Sequence, residues 1–286
     1  MMESVLAHID ISDVQTKPFP YVSKIGAVID GELCKRLIAE YPSLETVSRG
    51  MMLQGRPYTS NEKVRYFAKD VLELKEVTPL WREFVEAHLT RDHYNHVLRL
   101  FKPHIKNVYP GIEKKYGPLE KLHIGIRHID SYDTCDVLLD AELCTDTPVD
   151  TPSSVKSAHL DSLDKLLVGN FYLRRPDDDS QGGALELFAF KPDMIRFYGK
   201  RFADHAYLTK IGEVPYQSNN LSCFINSLHS LHGVGVREVT PHVRYSFNFI
   251  LEFKDPLFSL DAYYPMTSRH VARVLYTKTR ALLGLS

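Results

Sequence analysis

Between residues 122 and 255 the chain repeats one pattern, a short apolar or alternating run followed by a cluster of turn formers. "HIGIRHI" alternates, "VLLDAELC" is strongly extended in character, and "LLVGNFYLRR", "GGALELFAF", "LSCFINSL" and "RYSFNFILEF" follow. These runs are rich in the β-branched and aromatic residues that fit a pleated surface. Between them stand "DTPVDTPSS", "RPDDDSQGG" and "REVTPH", built from residues that supply turns. Many strands in one contiguous region predict an antiparallel barrel or a double-sheet jelly roll, architectures that leave few strand edges unpaired.

The flanks read differently. Residues 18–29 form a short extended segment, and a helix is expected over 30–42. There Asp30 caps, Leu33, Leu37 and Ile38 make the apolar stripe, and Pro42 ends the run. A second helix is expected over 78–90, with Thr78 as cap, Pro79 at the first position and Trp81, Phe84, Val85 and Leu89 facing inward. A third begins over 91–101, and a C-terminal one is expected over 267–284. The expected fold is therefore α+β, a β core wrapped by helices in a single domain spanning 1–286. Residues 1–121 are mainly helical, 122–255 form the core, and 256–286 carry the C-terminal helix.

Bulk composition excludes some partners. The 286 residues include 35 basic and 36 acidic side chains, so there is no basic excess of the kind nucleic acids or membrane surfaces select. Cys34, Cys135, Cys144 and Cys223 show no close-spaced zinc pattern and read as buried thiols in a reducing compartment. No signal-peptide pattern opens the chain, and no apolar run reaches the ~18–20 residues a membrane span needs. The expected location is the cytoplasm, with no nucleic-acid or membrane partner.

Chemistry concentrates in "SVKSAHLDSLDKLL". On an extended segment residues i and i+2 share a face, so His159 and Asp161 can offer an imidazole and a carboxylate to one ion. A third ligand must come from a distant strand, and "INSLHSLHGVGV" supplies two histidines. His232 is favoured because Gly233 lets a strand begin close to the metal, with His229 as the alternative. Two histidines and one carboxylate are the donor set that leaves positions open on non-haem Fe(II). Further on, Arg244 can hold a carboxylate bidentately and Ser246 shares its face, which suits a chelating co-substrate with a distal carboxylate.

The ordered elements His159 and Asp161, Tyr172-Leu173, Gly182-Gly183, His232 and Arg244 resemble the Fe(II)- and 2-oxoglutarate-dependent dioxygenases, and within them the prolyl-hydroxylase-like branch. The similarity runs over roughly 100 residues, and "PFPYVSKIGAVIDGELCKRLIAEYP" is similar to the entry segment of many such enzymes. The resemblance implies a double-stranded β-helix (jelly-roll, cupin-like) core with flanking N- and C-terminal helices. It implies that His159, Asp161 and His232 bind Fe(II), and that Arg244 holds the far carboxylate of 2-oxoglutarate with Tyr172 and Ser246. The implied reaction is decarboxylation of 2-oxoglutarate to succinate, coupled to hydroxylation of an unactivated C–H bond. Asp161 argues against halogenation, since halogenating relatives carry a small residue there. The interval from His232 to Arg244 is longer than in the prolyl hydroxylases and leaves Arg237 as a second candidate anchor.

Other residues have plainer readings. Tyr172 also reads as a core aromatic and Ser246 as a strand hydroxyl, and "RPDDDS" reads as a solvated loop. Thr145 and Asp146, at the end of the strand before the His-x-Asp motif, are expected in a turn, with lining of the substrate or co-substrate pocket as the alternative. His123, Arg127, His128 and Arg237 are further candidates for a polar pocket. The expected substrate is a small molecule, an amino acid or natural-product intermediate, consumed with dioxygen. A peptidyl side chain is the alternative, and a non-catalytic jelly-roll binding protein is the reading from another class.

Overall fold

A computed structural model describes residues 2–47, 58–198 and 201–263. Its strands are β1 (Val14–Gln15), β2 (Tyr21–Lys24), β3 (Lys63–Tyr66), β4 (Ile124–Ile126), β5 (Val137–Asp146), β6 (Lys165–Tyr172) and β7 (Leu185–Phe190). They continue as β8 (Phe197–Tyr198), β9 (Phe202–Ala203), β10 (Leu208–Val214), β11 (Asn220–Ile225), β12 (His232–Val234) and β13 (Arg244–Phe253). The main sheet has the order β1-β2-β11-β6-β13-β5-β3, with β4 added parallel to β5. A smaller sheet, β10-β7-β12, faces it, and β8 pairs β9. The architecture is the mixed-sheet jelly roll with flanking helices expected from the sequence.

Alternation along the central strands explains the layering. On β13, Tyr245, Phe247, Phe249, Leu251 and Phe253 belong to one apolar cluster together with Leu37, Trp81, Phe84, Val85, Tyr94 and Val97. Those partners lie on α1 (Gly31–Ala39), α2 (Pro79–Ala87) and α3 (Arg91–Val108), so the helices cover the outer face of the main sheet. The opposite parity, Arg244, Ser246, Asn248 and Ile250, faces the smaller sheet. There Ile250, Val168, Tyr172 and Phe224 pack with Leu185, Leu187 and Val214. A strand covered on both faces is buried along its length, as β5 is. Its inner-face residues Asp140, Glu142, Cys144 and Asp146 are therefore polar groups inside the barrel.

The helix caps behave as the sequence implies. The Asp30 side chain accepts from Glu32 N and Leu33 N, and the Thr78 hydroxyl accepts from Trp81 N. Trp81 is fully buried and satisfies its indole by donating to Leu37 O at 3.0 Å. Burying each such aromatic side chain contributes about 2–3 kcal/mol of transfer free energy.

Several elements differ from expectation. The helix begun at Arg91 runs past residue 101 to Val108 and carries Pro103 inside it, tolerated because the apolar face holding Phe101 and Ile105 stays packed. "HIGIRHI" gives only the three residues of β4, because the chain turns at Ile126, whose carbonyl accepts from both Ile129 N and Asp130 N. Thr145 and Asp146 are not in a turn; both are buried at the end of β5, paired across from Tyr245 and Arg244. In "RPDDDS" Asp178 is buried, its carboxylate accepting from Ser180 N. The segment before residue 122 contributes β1, β2 and β3 to the main sheet. The helix expected over 267–284 lies outside the described residues.

Candidate metal centre

His159 and His232 come from distant parts of the chain yet face each other across an isolated antiparallel bridge. Each ring is oriented by a carbonyl two residues before it. His159 Nδ1 lies 2.7 Å from Ser157 O, and His232 Nδ1 lies 3.0 Å from Ser230 O. A carbonyl only accepts, so the Nδ1 atoms carry the protons and the Nε2 atoms keep their lone pairs. Those lone pairs converge on Asp161: His232 Nε2 is 3.5 Å from Oδ2, and His159 Nε2 is 4.0 Å from Oδ1.

One ligand atom from each of the three residues lies within 4.8 Å of the others, and all three side chains are buried. Among the described residues this is the group of metal-ligating side chains that forms such a cluster. Burial and the neighbouring His232 push the His159 pKa well below the ordinary histidine value. Burial works against the Asp161 carboxylate, but Lys156, whose Nζ lies 3.5 Å from Oδ1, and Lys165 hold its pKa well down. Two imidazoles and one carboxylate brought together in this way fit a first-row divalent ion with open positions. The ring of Phe224, on the inner face of β11, packs against His232 with centroids 4.7 Å apart.

His229 lies outside this cluster. It lines a separate cleft of about 600 Å³ with Phe19, His104, Tyr109 and Phe258.

Arg244 is 2 % exposed at the start of β13. Its Nη1 donates to Asp146 Oδ2 at 2.7 Å and its Nη2 to Gly183 O at 3.1 Å, while Nε is buried with no hydrogen-bond partner. The rings of Tyr172 and Tyr216 each lie 4.8 Å from the guanidinium carbon. Burial opposes its charge, but Tyr172 and Asp146 hold the Arg244 pKa above the usual arginine value. Ser246 sits on the same face, directly across from Tyr172 and from Cys144.

Arg237 is differently engaged. Its Nη1 donates to Asn61 Oδ1 and Thr147 O, and its Nη2 to His242 O, so it ties loops together. Arg127 pairs with Asp140, Glu142 and Glu252 at the far end of β5. His123 is exposed beside Asp136, and His128 occupies a turn at φ 66°. Lys63 and Lys156 are polar residues that the motif order does not single out, although Lys156 stands three positions before His159.

No helix among the described residues is long and apolar enough to cross a membrane. Cys34, Cys135, Cys144 and Cys223 are free thiols.

No family model matches the chain, and no curated protein does. Among solved structures it is similar to a prolyl 4-hydroxylase from Phytophthora capsici, at 13% identity and a TM-score of 0.45, covering 91% of this chain and 68% of that one. It is also similar to a Pseudomonas putida prolyl-4-hydroxylase, at 14% identity and a TM-score of 0.44, covering 87% of this chain and 99% of that one. A third is the non-heme alpha ketoglutarate dependent carbocyclase SnoK from nogalamycin biosynthesis, at 13% identity and a TM-score of 0.43, covering 96% and 94%. What the site can do follows from its own side chains.

Proposed function

We propose that this chain, whose fold and ligand triad match the Fe(II)- and 2-oxoglutarate-dependent dioxygenase superfamily, is an enzyme that hydroxylates an unactivated C–H bond of a small molecule. The observation that carries this reading is the convergence of His159 Nε2, Asp161 and His232 Nε2 with both Nδ1 protons tied to backbone carbonyls. Fe(II) held by His159, Asp161 and His232 would supply the dioxygen activation that accompanies decarboxylation of 2-oxoglutarate to succinate.

The chain's own residues supply the rest. Ser157 O and Ser230 O fix the imidazole tautomers and orientation, which keeps the donors pre-organised. Asp161 contributes one negative charge, kept ionised by Lys156. Arg244, with the Tyr172 phenol and the Ser246 hydroxyl, receives the distal carboxylate of 2-oxoglutarate. The apolar group Leu185, Leu187, Val214 and Phe224 keeps water from the barrel interior.

A polar stripe on the inner face of the main sheet supports a small, polar substrate. Glu142 stands across from Asn248, Asn248 from Asn170, and Asn170 from Ser222. Asn248 Oδ1 and Ser222 Oγ are buried without hydrogen-bond partners, as groups awaiting a polar ligand would be, while Glu142 Oε1 lies 3.7 Å from Arg127 Nη1.

The test is succinate formation from 2-oxoglutarate with Fe(II) and dioxygen, measured over a panel of amino acids and peptides. Succinate above the protein-free blank, stimulated by a small molecule, supports the proposal. Stimulation by peptides alone moves the substrate to a peptidyl side chain, and no succinate together with no iron binding sinks the enzyme reading.

A further inference from the structure

Lys156 meets the triad from a position that a regular strand would not allow. It stands three residues before His159, and along a regular strand an odd offset sends side chains to opposite faces. Here the pairing is irregular. His159 bridges His232, yet Val234 N donates to Lys156 O at 2.9 Å, so three steps on one segment oppose two on the other. Gly233 permits the close approach, since a Cβ there would lie 3.1 Å from Ala158 N and from Ser157 C. One inserted residue of this kind is a β-bulge, which re-aims a side chain. Lys156 Nζ thereby lies 3.5 Å from Asp161 Oδ1.

Both side chains of this contact reach solvent, Lys156 being 35% exposed and Asp161 12%. Among the described residues, Asp161 is the carboxylate that pairs with Lys156. The other cations within electrostatic reach of Lys156 are held elsewhere. Lys63 touches Asp146, Lys165 is buried across from Glu252 on β13, and Arg201 Nε donates to Leu160 O.

Loading the triad changes that pairing. A divalent ion takes up the Asp161 charge, and the chelating end of 2-oxoglutarate offsets the charge that the ion has left. The distal carboxylate of 2-oxoglutarate belongs to Arg244. Lys156 then carries a full positive charge with no counter-ion, at the edge of the reacting centre and open to solvent. A charge in that position attracts a further anion.

We propose that Lys156 is a substrate-binding residue whose ammonium pairs with a carboxylate on the small molecule presented to the triad, so that the substrate class is an organic acid. This rests on the reading of the chain as a dioxygenase of small molecules. The half-buried amides of Asn170 and Asn248, paired across β6 and β13, offer hydrogen bonds without charge. Discrimination of an acid from its neutral amide therefore falls to Lys156.

The test is calorimetric titration of Mn(II)- and 2-oxoglutarate-loaded wild-type protein, Lys156→Gln and Lys156→Arg. The probes are amino, N-acylamino and aromatic carboxylic acids, each beside its carboxamide, with Mn(II) and 2-oxoglutarate affinities measured alongside. The tightest-binding acid is expected to bind wild type at least tenfold better than its carboxamide. That preference should vanish in Lys156→Gln and stay within threefold of wild type in Lys156→Arg. Mn(II) affinity should hold or tighten in Lys156→Gln, because a cation beside a ligand oxygen opposes a second one there. If no acid binds wild type better than its carboxamide, or if Lys156→Gln keeps the preference, the proposal is overturned. A tenfold loss of 2-oxoglutarate affinity in Lys156→Gln would give the residue to the co-substrate, and a tenfold loss of Mn(II) affinity would give it to the triad; either overturns the proposal. Wild-type protein that binds neither Mn(II) nor 2-oxoglutarate removes the dioxygenase reading itself, and the role of Lys156 falls with it.

Discussion

His159 and His232 exchange both main-chain hydrogen bonds, His159 N donating to His232 O at 2.9 Å and His232 N to His159 O at 3.1 Å. Their ring centroids are 4.3 Å apart. The spacing of the two imidazoles is therefore set by backbone pairing, and Asp161, two residues beyond His159, returns to the same face. Pre-organisation of this kind spares a metal site the cost of ordering its own ligands.

Ligand identity gives the first prediction. His232→Ala is expected to abolish Mn(II) or Fe(II) binding, and His229→Ala to leave it within about threefold, because His229 lines a different cleft. Metal content after dialysis reads the outcome, and the reverse pattern would identify His229 as the ligand.

Arg244 has both a structural and a binding role. Arg244→Ala leaves the Asp146 carboxylate buried with Lys63 as its remaining direct contact, and is expected to cost about 3 kcal/mol of stability. Urea denaturation measures that loss. In folded, Mn(II)-loaded variant protein, 2-oxoglutarate affinity should fall by roughly 100-fold through loss of a charge-assisted pair. Unchanged affinity would move the anchor elsewhere.

Asp140 governs a pH effect. Burial, and then the neighbouring Glu142, raise its pKa to about 6, despite backbone donors from Ala68 and Ala141 and the nearby Arg127. In the unfolded chain an aspartate titrates near about 3.9. The folded state thus binds the proton more tightly, so this group's stabilising contribution is complete below about pH 4 and is lost as pH rises through about 6. The stability difference between wild type and Asp140→Asn, followed by urea denaturation across that window, should shift in the variant's favour as pH rises. A flat difference would contradict the assignment.

Gly182 has φ +82°, and a Cβ there would lie 1.9 Å from Val236 O. Gly182→Ala is therefore expected to destabilise by roughly 2 kcal/mol or more, through backbone strain and a clash that a side-chain rotation cannot relieve. Thermal melting reads this directly, and an unchanged melting temperature would mean that the turn can open.

The sequence carried much of this site because its signals are local or ordered. His-x-Asp on an extended segment, Gly182-Gly183 at a turn and the apolar alternation of 244–253 can each be read within a few residues. The rest depends on contacts between distant segments. Lys63 in "NEKVRYF" has meaning only once β3 pairs with β5, and Asp146 reads as a turn residue until that strand proves to extend through it. The acids of "VLLDAELCTD", at 140, 142 and 146, all share one parity, a signal that β5 turns a polar face toward the barrel interior. Arg237 and Arg244 are equivalent as letters; what separates them is that one meets carbonyls and an amide while the other meets a carboxylate between two tyrosine rings.

The most direct test of the central claim is a crystal structure with Mn(II) and 2-oxoglutarate, with the metal located by its anomalous signal. The expected result is one peak shared by His159 Nε2, Asp161 and His232 Nε2, with 2-oxoglutarate reaching from it to Arg244. A peak elsewhere, or none at saturating Mn(II), would contradict the assignment of the triad as the metal centre.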